Sequence, residues 1–94
     1  MTDTMARSDY SLLDGAAMYD VFYEAGTMLG GRLVALGRQA RANGDEAASA
    51  KWMAEHIALN RERAAVNPND RAAQIAAIER WNARRAELRG LLYD

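Results

Sequence analysis

Three observations predict an all-α fold, an antiparallel three-helix bundle. Strong helix formers run almost the length of the chain: twenty of the 94 residues are Ala, with Leu, Arg and Glu interleaved. Large apolar residues recur at three- and four-residue spacing, and nowhere alternate as a half-buried strand would. Strong stop signals fall at two internal places, "NGD" at 43–45 and "NPND" at 67–70, the second holding the only proline.

The first helix is expected over about 11 to 42. "SLLD" resembles a capping box, with Ser11 as the cap and Asp14 at the third helical position, and Asn43 with Gly44 suits the far end. The second is expected over about 45 to 66, with Asp45 as its cap and Glu46 near the positive end of the helix dipole. The third is expected over about 68 to 89, from Pro68 or Asp70 to Arg89. There Asn67 can cap, Pro68 suits the first helical position, Arg84, Arg85 and Arg89 lie near the negative end, and Gly90 is the stop. Residues 1–10 read as a flexible N-terminus and 11–92 as a single domain. Because so much of the hydrophobic half of the chain is Ala, the core is expected to be thin, and dimerisation is one way to complete it.

The stretch "EAGTMLGGRLVALG", residues 24–37, is helical in every respect except its four glycines. Each costs a helix interior roughly 0.8–1 kcal/mol relative to Ala. At about 100° per residue, Gly26, Gly30, Leu33 and Gly37 share one stripe with Phe22 and Ala40, on the face that should be buried. A missing side chain there lets another helix backbone approach, so these four residues form the expected close-packing site. "GTMLG" has the GxxxG spacing known from membrane helices, but the surrounding charges exclude that setting. Gly31 lies on the polar side, where packing does not explain it; a bend at Gly30 and Gly31 is the rival reading.

Helix lengths raise a further expectation. A first helix of about 48 Å against partners of about 30 Å leaves residues 11 to 21 without neighbours. Leu12, Leu13, Met18, Tyr19 and Val21 would then be exposed unless the helix bends at its glycines or docks on a partner. With Met28, seven residues beyond Val21 on an otherwise polar face, they form the expected partner interface. The second helix carries two apolar stripes, Trp52, Leu59 and Val66 on one side and Ala50, Met53, Ile57 and Ala64 on the other, so it needs cover from two directions.

Chemistry is mostly excluded. The chain has no Cys, hence no disulfide, thiol nucleophile or thiolate metal site. His56 is the only histidine and reads as a surface residue. Asp20 and Glu24 lie four apart but lack the Glu-x-x-His signatures of helical metal sites, and no nucleophile elbow or phosphate loop occurs. No catalytic, cofactor-binding or metal-ligating residue is therefore expected. Arg85 falls on the apolar face of the third helix, which calls either for a stem that packs while its head reaches water or for a buried ion pair or anion contact.

Net charge is −1, with the excess of bases in residues 25–44 and 71–94. Eleven of the twelve basic residues are Arg, and Arg80, Arg84 and Arg89 could meet phosphates beside Arg85. Against that alternative, Glu79 and Glu87 interrupt the row and the whole chain is slightly acidic. No apolar run is long enough to span a membrane, and the acidic N-terminus does not resemble a signal peptide, so the cytoplasm is the expected location. The function expected is that of a non-enzymatic protein-interaction module, of the inhibitor, antitoxin or adaptor type. Its partner would be another protein or a second copy; a nucleic-acid-binding regulator is the alternative.

Overall fold

The computed structural model describes residues 7–92. Over them the chain is an all-α three-helix bundle: a 3-10 turn at Arg7–Leu12, then α1 (Gly15–Ala42), α2 (Glu46–Ala65) and α3 (Arg71–Glu87), with no strand. The expected flexible segment 1–10 is corrected in its last residues. The 3-10 turn buries Tyr10 in the core, while residues 1–6 lie outside the described part.

One device starts all three helices. Asp14, Asp45 and Asp70 each cap by accepting a hydrogen bond from the backbone N–H three residues on, at Ala17 (2.8 Å), Ala48 (3.0 Å) and Ala73 (3.0 Å). Two boundaries therefore shift from the sequence-based expectation. Asp14 is the cap of α1 rather than its third helical residue, because its carboxylate captures the Ala17 N–H and the chain before it tightens into the 3-10 turn. Pro68 sits in the turn before α3, where the Asn67 side chain accepts from Asn69 N–H at 2.8 Å, and Asp70 takes the capping role. Gly44 and Gly90 both have positive φ, at 76° and 88°, the left-handed conformation that lets the chain leave α1 and α3.

α1 is the central helix, packing against both α2 and α3. It runs through Gly30 and Gly31 as one continuous helix, so the expected bend takes no part in closing the bundle. The uncovered overhang is also corrected. α2 lies antiparallel against the C-terminal two thirds of α1, while α3 returns parallel to α1 and staggered toward its N-terminus. At that end Arg71 donates to the carbonyl oxygens of Tyr10 and Leu13, the latter at 2.6 Å; at the other, Gln39 donates to the Leu91 carbonyl at 2.7 Å. Met18 is accordingly a core residue, and Leu13 and Val21 pack against the core.

The core is the α1 stripe Met18, Phe22, Ala25, Leu29, Leu33 and Leu36 with Ile75, Ala77, Ile78, Trp81 and Leu88 from the α3 side, closed by Tyr10. Phe22 and Trp81 stack with centroids 5.3 Å apart. Gln74, the buried polar residue, is 2% exposed and donates to the Pro68 carbonyl at 2.8 Å, so its amide is not stranded. From α2 only Leu59 is fully buried. Full burial of a Leu or Phe is worth roughly 1.5–3 kcal/mol, so α1 and α3 carry most of the apolar stabilisation and α2 is the lightly anchored helix.

Candidate interaction surface

The glycine stripe faces α2. Gly26, Gly30, Leu33 and Gly37 are all buried, but what approaches the glycines is mostly side chain rather than backbone. A Cβ on Gly26 would lie 3.1 Å from the Arg63 side chain and 3.3 Å from the Trp81 ring, and one on Gly30 would lie 3.3 Å from His56 Nε2. Only at Gly37 does the α2 backbone come near, with Ser49 O at 3.9 Å. His56 is thus half-buried against Gly30 rather than a plain surface residue, with Nε2 3.5 Å from the Asn60 side-chain nitrogen. Gly31 would meet nothing within 4 Å.

Arg63 exploits the space at Gly26. Its guanidinium lies 4.0 Å from the Tyr23 ring centroid and donates to Tyr23 O and Thr27 Oγ1, both at 3.1 Å, and to Asn60 Oδ1 at 3.1 Å. Sequence reasoning missed this residue, because its place opposite Gly26 depends on the register of α2 against α1.

Between α2 and α3 polar side chains do the joining. Arg84 grips Glu55 with two parallel hydrogen bonds, Nε and Nη2 each 2.8 Å from a carboxylate oxygen, and reaches Glu87 at 3.1 Å. These bonds hold the Glu55 carboxyl below its ordinary pKa, against the opposing effect of partial burial, and raise the Arg84 guanidinium further. About two turns further along α2, Glu62 accepts from Trp81 Nε1 at 2.5 Å and pairs with Arg80 at 3.2 Å. The seven-residue spacing of Glu55 and Glu62 and the four-residue spacing of Arg80 and Arg84 put each pair on one face; sequence reasoning singled out the two arginines without the glutamates that meet them. A shallow groove of about 240 Å³ lies between them, floored by Leu29 and Leu59.

Arg85, by contrast, makes no ion pair among the described residues: it is half-buried and its Nη1 lies 3.0 Å from the Met28 sulfur. Its neighbour Arg84 makes the ion pair instead. Among the described residues no group of three or more His, Asp or Glu is placed to hold a metal ion, and no helix is long and apolar enough to cross a membrane.

No family model, characterised protein or solved structure matches this chain. What it offers a partner must therefore be read from its own surface.

The expected partner interface is dispersed. Met18 is buried, Leu13 and Val21 are half-buried, and Leu12 projects alone at 84% exposure. Tyr19 stacks beside Phe22 and Tyr23 with its edge in solvent. Val21 and Met28 do share a shallow groove of about 420 Å³ with Ala25, bordered by Asp20 and Glu24. A further apolar surface is the second stripe of α2. Met53 is 50% and Ile57 45% exposed, and Ala47, Ala50, Ala54, Ala64 and Ala65 around them are all exposed. Met53 also lines a groove of about 220 Å³ with Val34 of α1. Among the described residues nothing covers this face.

Proposed function

We propose that this protein works without catalysis, as a small helical interaction module of the inhibitor, antitoxin or adaptor type in the cytoplasm, docking through the outer face of α2. The observation that carries the reading is the uncovered stripe itself. A helix with one face on α1 and a second row of Ala, Met and Ile in water has more apolar surface than its own fold uses. The light anchoring of α2, through Leu59 with Trp52 and Val66 half-buried, suits a helix whose remaining stabilisation comes from a partner. The nucleic-acid alternative loses ground because two of its arginines are already spent, Arg80 on Glu62 and Arg84 on Glu55.

The test is recovery of the tagged protein from its native host, with composition read by mass spectrometry after nuclease treatment. Wild type should carry a stoichiometric protein, a second copy of the chain included. Met53→Asp combined with Ile57→Asp should keep its helical circular dichroism and lose that protein. A complex that survives the double substitution removes the α2 face from the reading; association lost on nuclease treatment favours nucleic acid instead.

A further inference from the structure

We infer that the outer face of α2 is a two-fold, antiparallel contact between two copies of this chain. The inference rests on the reading of α2 as a docking face and names its occupant.

The occupant follows from two charges on this face. Glu46 opens α2 and Arg61 lies fifteen residues on; both project from the same exposed side as Ala50 and Ile57. The other acids and arginines of this helix are engaged within the fold, Glu55 by Arg84, Glu62 by Arg80 and Trp81, and Arg63 by Tyr23 and Thr27. Glu46 and Arg61 are not: neither side chain has a hydrogen bond or ion pair among the described residues. They bracket Ala50, Met53, Ala54 and Ile57 with opposite signs, and their midpoint falls between Met53 and Ala54; Ala64 and Ala65 continue the stripe beyond Arg61.

A two-fold axis through that midpoint, perpendicular to the helix, satisfies both charges at once. It sets Glu46 of each copy beside Arg61 of the other, Ala50 against Ile57, Met53 against Met53 on one flank and Ala54 against Ala54 on the other. The small Ala side chains permit close helix approach, and the antiparallel arrangement also opposes the helix dipoles. A parallel pairing would bring Glu46 onto Glu46 and Arg61 onto Arg61, which the like charges disfavour. The contact is isologous, so it closes at two copies.

Sedimentation equilibrium on the purified chain tests this over a concentration series at low salt. Wild type should approach the mass of a dimer as concentration rises, and added salt should weaken it. Glu46→Arg and Arg61→Glu should each weaken association by about tenfold, since each turns two attractive pairs into repulsive ones. The variant carrying both should recover most of the loss. Glu46→Gln, which spares the N-terminus of α2 a positive charge, should fall in between; circular dichroism checks that every variant is folded. A wild type that stays monomeric throughout overturns the inference, as does a double reversal no better than the single ones. The broader reading fails separately: a monomer that still takes a different protein on Met53 and Ile57 refutes only self-association, whereas one that takes none on that face refutes both.

Discussion

Gly30 and Gly31 are neighbours in sequence with opposite physical roles. Gly30 lies under the His56 ring, whereas Gly31 faces open space. Gly30→Leu forces a side chain into a closed contact and should destabilise the fold by about 1–3 kcal/mol. Gly31→Ala adds a methyl that meets nothing and removes backbone freedom from the unfolded chain, so it should stabilise by about 0.5–1 kcal/mol. In a domain this size each kcal/mol moves the melting temperature by roughly 4–8 °C. Thermal melts should therefore shift in opposite directions; equal shifts would mean that the stripe is not closed at Gly30. The buried and the polar glycine could be told apart by periodicity alone, because the helix repeat assigns each to a face. What filled the space could not. His56 and Arg63 occupy it because α2 happens to lie in that register, which is a property of two helices together.

Among the elements, α2 and α3 have the least in common. Their connection is the Glu55–Arg84 clamp and the Glu62–Trp81–Arg80 cluster, made of long side chains that bridge the helices. Because Arg84 holds the Glu55 carboxyl below its ordinary pKa, the pair stabilises the fold at pH values above the unfolded carboxylate pKa, and that contribution disappears as pH falls through the lower folded value. Both side chains are about a third exposed, so it should amount to less than about 1 kcal/mol. Denaturant titrations between about pH 5 and pH 3 should show wild type losing stability more steeply than Glu55→Gln; identical slopes would mean that the clamp is solvated and idle. The helix boundaries show how far elements can be read from sequence. The ends at 42–45 and 87–90 follow from Asn-Gly, Asp and Gly chemistry and need no tertiary information. The starts of α1 and α3 slipped by three or four residues, because Ser11 and Asn67 compete with Asp14 and Asp70 for the cap, and the burial of Tyr10 and the hydrogen bond from Gln74 to the Pro68 carbonyl depend on tertiary structure.

At the scale of the whole molecule, the order of the helices determines which apolar surface remains. Length arithmetic alone placed the uncovered surface at the start of α1. Instead the 3-10 turn and a staggered α3 close that end, with Tyr10 and Arg71 as the fastenings. The stagger leaves α2 with one neighbour on its broad side, so its second stripe, visible in the sequence as Ala50, Met53, Ile57 and Ala64, becomes the open face. The stripe was legible because period and composition mark it; its being the uncovered one was not, since that depends on where α3 lies.

The absence of cysteine allows the central claim, that this face of α2 meets its own copy, to be read directly from a single introduced thiol. Ala54 lies next to the two-fold axis, where closely packed helices bring the two copies' Cα atoms to about 5.5 Å, within disulfide range. The measurement is non-reducing electrophoresis of Ala54→Cys after mild oxidation, beside Ala83→Cys on the exposed side of α3. The two-fold contact predicts a covalent dimer from Ala54→Cys at concentrations where Ala83→Cys remains monomeric. A monomeric Ala54→Cys, or equal crosslinking at both positions, would contradict it.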